Sequence, residues 1–230
     1  MTASNRSPDS KHSPPVVVGI TGASGAMYAI RLLQSLCQAD IDVHVTVSPS
    51  GAAVIRQETG MAVNLQDLDL LKLVSFLPDW SSERHRAWVE QTDWRAAVQS
   101  RLHYHRHDDF LTPIASGSFR TRAMVVCPCS GSTMSAIARA AASNLISRAA
   151  EVHLKEHRKL VIVPRETPVS VLQLENMQRI AAAGGVVLPA APGWYHGVDS
   201  LDSLLDFVVS RILDQLDVEN HLIRRWKEDQ

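Results

Sequence analysis

Short runs of β-branched apolar residues alternate along this chain with longer stretches in which apolar positions recur every three or four residues. The short runs are 16–20, 43–47, 123–127, 160–163 and 186–188, bounded by Gly, Pro, Ser or charged residues. Most have no polar face, the mark of strands covered on both sides. Helical spacing fills the intervals. It covers 27–39, with Ile30, Leu33 and Leu36 on one face, then 52–59 and 134–142. It resumes from an Asn144 N-cap to 157, over 171–183 with Gly184-Gly185 as its stop, and over 201–216. Strand and helix in regular succession specify a parallel sheet with helices on both faces. The predicted fold class is α/β, a Rossmann-like three-layer α/β/α sandwich with a doubly wound, mostly parallel sheet of about six strands. The pattern weakens over 61–107, where 67–74 and 83–102 suit helices. No segment repeats.

The strand ends carry the candidate chemistry. The first strand opens into Thr21-Gly22-Ala23-Ser24-Gly25-Ala26 and then a helix. Glycines allow close backbone approach to a ligand, and a helix start offers free N–H groups and positive potential. The spacing Gly19-x-x-Gly22-x-x-Gly25 is neither the dinucleotide fingerprint nor a P-loop. The second strand ends in Ser48-Pro49-Ser50-Gly51, where an NAD site would have a ribose-binding acid. Hydroxyls there suit a phosphate or a flavin ribityl chain. The strand at 123–127 ends in Pro128-Cys129-Ser130-Gly131-Ser132-Thr133, again rich in hydroxyls. The run at 160–163 leads into Pro164-Arg165-Glu166-Thr167-Pro168, an arginine and a glutamate pinned between prolines at a strand end. With Lys155, Tyr195 and Arg211 from later elements and the Ser116-Gly117-Ser118 turn, these make a phosphate pocket. Glu58 and Glu166 are the carboxylates available as acid and base.

Composition narrows the class. The chain has 230 residues, 45% hydrophobic, with a net charge of −1. That is enough for one domain with a sizeable core, and no global field favours nucleic acid or membrane. We expect residues 1–15 to form a disordered tail and 16–230 a single flavoprotein-like α/β domain. Three sparse cysteines, Cys37, Cys127 and Cys129, argue against a disulfide framework and for a reducing, cytoplasmic setting. The last two read as buried small residues, since no basic activator adjoins them. The stretch His103-Tyr104-His105-Arg106-His107-Asp108-Asp109 raises a metal reading. A polar histidine-rich loop is the commoner outcome, and no metal is expected.

The chain resembles the flavin prenyltransferases (UbiX/Pad type) from Val16 to about Trp226. The motifs that carry the resemblance are Gly19-Ile-Thr-Gly-Ala-Ser-Gly25, Ala115-Ser-Gly-Ser118, Cys127-Pro-Cys-Ser130, Asn144-Leu-Ile-Ser-Arg-Ala-Ala150, Leu154-Lys-Glu156, Val163-Pro-Arg-Glu-Thr-Pro168 and Pro189-Ala-Ala-Pro-Gly-Trp-Tyr-His196. The resemblance implies a metal-independent enzyme that moves a dimethylallyl group from dimethylallyl phosphate or pyrophosphate to N5 and then C6 of reduced FMN. The prenylated FMN would serve a UbiD-type decarboxylase. It also implies a homotrimer or homododecamer with FMN bound between subunits. Carried over by position, Gly22, Ala23, Ser24, Ser48, Ser130, Thr133, Arg148 and Arg165 would contact FMN. Ser116, Gly117, Lys155, Arg165, Tyr195 and Arg211 would grip the prenyl phosphate. Glu58, near flavin N5, and Glu166, beside the leaving phosphate, would handle protons. Pro49 and Ser50 stand where members commonly have lysine and alanine, His157 replaces a common arginine, and 78–107 matches poorly. Two alternatives remain open: an FMN-dependent cysteine decarboxylase of the same fold, which generally lacks the Pro-Arg-Glu-Thr-Pro box, and a non-catalytic FMN carrier.

Overall fold

A computed structural model describes residues 13–226. Six parallel strands form one sheet: β1 (Val16–Ile20), β2 (Val43–Val47), β3 (Leu102–Tyr104), β4 (Ala123–Cys129), β5 (Lys159–Pro164) and β6 (Val186–Val187). Their spatial order is β3-β2-β1-β4-β5-β6. The order reverses between β1 and β4, so the crevice beyond their carboxyl ends is the natural binding place of a doubly wound sheet. The six-stranded α/β class is the one read from the sequence. Residues 160–163 belong to β5, the fifth strand in space, next to the edge.

Helices cover both faces. On one lie α1 (Ala26–Gln38) and α9 (Leu201–Gln215), packed on Val16, Val18, Ile20, Val45 and Val125. On the other lie α6 (Gly131–Ala138), α7 (Leu145–Lys155) and α8 (Val171–Ala182), packed on Val17, Met124, Val126 and Ile162. Alternate residues of each strand serve opposite faces, so the inner strands read as continuous apolar runs. Local chemistry fixes the helix starts. Asn144 with Ser147, Ser170 with Gln173, and Ser200 with Ser203 form reciprocal capping boxes. Ser48 caps α2 (Pro49–Thr59), whose proline stands at the first helical position, where its missing N–H costs nothing.

Several boundaries differ from expectation. The strand predicted at 123–127 runs on to Cys129 through a register shift, and the helix after it starts at Gly131 rather than 134. The single helix expected over 83–102 is two, α4 (Glu83–Gln91) and α5 (Trp94–Arg101). Asp93 caps the second by accepting from the N–H of Ala96, which starts a separate helix. A short α3 (Leu70–Val74) precedes them, and β3 follows. Of the expected tail, residues 1–12 lie outside the described residues, and the Pro15 carbonyl accepts from the N–H of Arg122.

Candidate active site

Three turns meet beyond the carboxyl ends of β1, β2 and β4. Thr21 joins the first and third. Its hydroxyl donates to the Pro128 carbonyl at 2.7 Å and accepts from the Ser130 N–H at 2.8 Å. Ser130 in turn caps α6, accepting from the Thr133 N–H and lying 3.1 Å from the Thr133 hydroxyl. Ser48 caps α2 through the Gly51 N–H, with the Ser50 hydroxyl 3.2 Å from its own. Gly22 closes the cradle: a Cβ there would sit 2.5 Å from the Ser50 Cβ, so only glycine lets the β1 and β2 turns approach this closely.

Glu58 reaches back from the end of α2 to the start of α1. Its carboxylate accepts from the N–H groups of Gly25 at 2.9 Å and Ala26 at 2.7 Å. The positive end of α1 thus already holds an anionic group. Gly25 itself has a φ of 114°. From β5, the Arg165 Nε donates to the Ser24 carbonyl at 3.1 Å, which ties the Pro-Arg-Glu-Thr-Pro box to the glycine turn. Glu166 is solvent-exposed, and its Oε2 accepts from the Gln173 side chain at 3.1 Å. Tyr28, on the first turn of α1, has its pKa raised by burial, and Arg165 nearby opposes the rise. Gly22, Ala23, Ser24, Ser48, Ser130, Thr133, Glu58, Arg165 and Glu166 therefore share one region.

The remaining candidates lie elsewhere. Lys155 ends α7, four residues before β5 begins, whereas Glu166 follows the end of β5. A six-residue strand puts roughly 20 Å between those levels. Lys155 pairs with Glu156 at 2.6 Å, and the Gly117 turn packs on both. Arg158 fastens that turn by donating to the carbonyls of Gly117 and Phe119. Arg148 joins the same side, with Nε donating to the Ala115 carbonyl at 3.1 Å. Ser116, Gly117, Arg148 and Lys155 thus form a second group, and Arg148 is separate from the hydroxyl cradle it was expected to line. Tyr195 and Arg211 form a third near the β6 edge. The Tyr195 ring packs on Phe207 and Trp226, while Arg211 pairs with Asp214 at 2.7 Å. Among the described residues, no hydrogen bond, ion pair or ring contact links the second or third group to the first.

Other features carry no site chemistry. A cleft of about 760 Å³ between α1, α4 and α9 is lined by residues that include Arg31, His85, Trp88, Asp202 and Asp206, several of them partnered with one another. Asp202 accepts from His85 and from the Ser82 N–H, while Arg31 pairs with Asp206 and lies over Trp88. All three cysteines are free and buried, and burial pushes their thiols up, to about 12 for Cys37 and Cys129. His44, His103 and His105 do share one face, with their rings close together, but among the described residues no group of three ligands has metal geometry. No described helix is long and apolar enough to cross a membrane.

The flavoprotein family model matches residues 4–213. The flavin prenyltransferase UbiX of Halalkalibacterium halodurans is 41% identical over 92% of this chain and 93% of its own. This chain belongs to the UbiX flavin prenyltransferase family. A solved structure of AnUbiX in complex with FMN and dimethylallyl pyrophosphate aligns with a TM-score of 0.75 at 33% identity, covering 94% of this chain and 99% of that one. A dodecameric FMN-dependent UbiX-like decarboxylase from Escherichia coli O157:H7 aligns equally well, with a TM-score of 0.75 at 33% identity over 93% and 99% of the two chains. FMN fits the residues present. The cradle that a Cβ at Gly22 would fill and the two serine-capped helix starts supply donors to a phosphate and a polyol chain. No acid stands at the end of β2 to hold an adenosine ribose.

Some members of this group escaped the sequence reading. Thr21 was visible within the glycine motif but carried no sign of bridging two turns. Arg158 acts through long-range partners that only the fold brings near, whereas Gln173 acts on Ser170 and Glu166 close by in sequence and gave no sign of its second contact.

Proposed function

We propose that this protein transfers a dimethylallyl group from dimethylallyl phosphate or pyrophosphate to N5 and C6 of reduced FMN. The observation that carries the reading is the joining of the Pro-Arg-Glu-Thr-Pro box to the hydroxyl cradle through Arg165 and the Ser24 carbonyl. It ties Arg165, with Glu166 next in sequence, to the turn where a flavin would fit. When bound, reduced FMN supplies the nucleophilic atoms. The chain's own residues hold and orient. Gly22, Ala23, Ser24, Ser48, Ser130 and Thr133 bind the flavin phosphate and ribityl chain, with Arg165 as a further contact and Arg148, which lies apart in its own chain, reaching the flavin of a neighbouring copy. Ser116, Gly117, Lys155, Arg165, Tyr195 and Arg211 grip the donor phosphate. As the donor's carbon–oxygen bond breaks, Glu166 passes a proton to the departing phosphate oxygen. Glu58, an acceptor at the α1 start, handles the proton on the flavin side.

The three separate groups favour a shared site. Val171, Leu172 and Leu174 on α8 are 70%, 64% and 55% exposed, and Trp194 is 71% exposed. The exposed apolar face of α8 suits a second copy of the chain. We propose a homo-oligomer, a trimer or a dodecamer, in which Lys155, Tyr195 and Arg211 complete the site of a neighbour. Val208 and Ile212 of α9 are not part of such a surface, since both are buried within the chain. We further propose one domain over 16–230, a cytoplasmic setting and a UbiD-type decarboxylase as recipient of the product.

The test is the mass of the flavin after incubation of the protein with reduced FMN and, separately, dimethylallyl phosphate or dimethylallyl pyrophosphate. Gain of one dimethylallyl unit is expected, and flavin of unchanged mass with both donors would overturn the reading. Glu166→Gln keeps shape and a hydrogen bond but is not an acid. It should bind FMN normally and lose about 100- to 10,000-fold in transfer. A wild-type rate would remove Glu166 from proton transfer.

A further inference from the structure

We propose that Gln173 positions Glu166 and decides which of its oxygens carries the proton. The proposal rests on the acid role given to Glu166 above. Gln173 is the third residue of α8 and the partner of Ser170 in its capping box. Its side-chain oxygen accepts from the Ser170 N–H at 2.8 Å, and its own N–H donates to the Ser170 hydroxyl at 3.3 Å. With the oxygen so engaged, the amide cannot flip without losing the cap. Its NH2 group is turned toward Glu166, donating to Oε2 at 3.1 Å.

Two consequences follow from that geometry. An amide NH2 donates and never accepts, so Oε2 must act as an acceptor there. In a protonated carboxyl the carbonyl oxygen is the stronger acceptor, so this contact favours Oε2 as the carbonyl oxygen and Oε1, which Gln173 leaves free, as the carrier of the proton that Glu166 delivers. The same amide also fixes a side chain that solvent would otherwise leave to sample several rotamers. The anchor is built into the sheet top, for a Cβ on Gly131 would come within 3.2 Å of the Gln173 Nε2. Glycine at the start of α6 leaves room for the amide, between the acid that follows β5 and the Ser130 turn.

A capping role alone would give Gln173 the same contacts to Ser170. The two roles separate cleanly by substitution. Glutamate is a normal partner in a capping box, so Gln173→Glu keeps the cap while replacing the donor by a repelling carboxylate. Gln173→Met removes both without adding charge. Each is measured alone and in the Glu166→Gln background, by thermal midpoint, FMN affinity and single-turnover prenyl transfer across a pH series. We expect Gln173→Glu to keep wild-type stability and FMN affinity. Both variants should lose about 10- to 100-fold in transfer, with kcat affected more than donor KM and the acid limb of the pH profile displaced. In the Glu166→Gln background neither should cost more than about twofold, because coupled residues are not additive. A Gln173→Glu protein at the wild-type rate beside an impaired Glu166→Gln would overturn the proposal. Multiplying effects in the double variant would do the same. A Glu166→Gln protein at the wild-type rate would instead bring down the acid assignment and this proposal with it.

Discussion

Thr21 shows how one hydroxyl can hold a binding surface together. It is 1% exposed, donates to Pro128 and accepts from Ser130, so the β1 and β4 turns share a single oxygen. Valine has the same shape but neither bond. Thr21→Val leaves the Ser130 N–H without its partner, at about 1–3 kcal/mol for an unmade bond. We expect a lower denaturant midpoint and weaker FMN binding together, with Thr21→Ser restoring both. Normal FMN affinity in Thr21→Val would show that the bridge does not shape the cradle. At this scale the sequence made residue types legible but not their partners. Glu58 was visible as a carboxylate near the end of a helix. Its contact with the amides of Gly25 and Ala26 spans more than thirty positions and exists only after folding.

Elements were legible where local rules decide them. The Asn144 cap was readable because its partners lie within one turn. Helical character over 83–102 was legible too, but the break that the local Asp93 cap makes was missed, and the docking of α4 was hidden because distant residues decide it: Asp202 for His85 and Arg31 for Trp88. Helix α7 carries a pH dependence of its own. His153 is buried, with Nδ1 2.7 Å from the Ala149 carbonyl and Nε2 2.8 Å from the Thr121 hydroxyl. Neutral imidazole satisfies both, donating from Nδ1 and accepting at Nε2. Burial lowers its pKa to about 4; the Ala149 contact opposes this and Arg158 reinforces it. Unfolded histidine titrates near 6.5, so as pH falls the unfolded chain takes up the proton first. The stability from neutral burial is full above about 6.5 and is lost as pH falls to about 4. His44 is pushed the same way, to about 4, by burial and by His105 and His103. The loss through His153 is on the order of 2–3 kcal/mol. Urea midpoints should therefore drop steeply between those pH values, and less steeply in His153→Asn. A midpoint independent of pH there would contradict a neutral His153.

The whole molecule raises a question that neither residues nor elements answer. Two of the cations proposed to grip the donor, Lys155 and Arg211, are not where the proposed acid Glu166 is, although Arg165 is. Glu166 follows the carboxyl end of β5 and Lys155 precedes its amino end, a strand apart. A lysine side chain spans only about a third of that distance, so one chain cannot bring both to one phosphate without unpacking α7, whose buried face is continuous with the core. Assembly resolves the conflict if each site draws Glu166 from one copy and Lys155 from another. The arrangement predicts complementation. Glu166→Gln and Lys155→Ala proteins should each be nearly inactive as pure oligomers. Co-expressed, they form mixed oligomers in which some sites draw both native residues from different copies. Random mixing makes about one site in four intact, so activity should recover to about a quarter of wild type in a closed symmetric ring. Charging the exposed face of α8, with Leu172→Glu and Leu174→Glu together, should abolish that recovery and yield smaller particles by light scattering. If the mixture stays as inactive as its parts while its oligomers are intact, each chain holds a complete site and the shared arrangement is wrong.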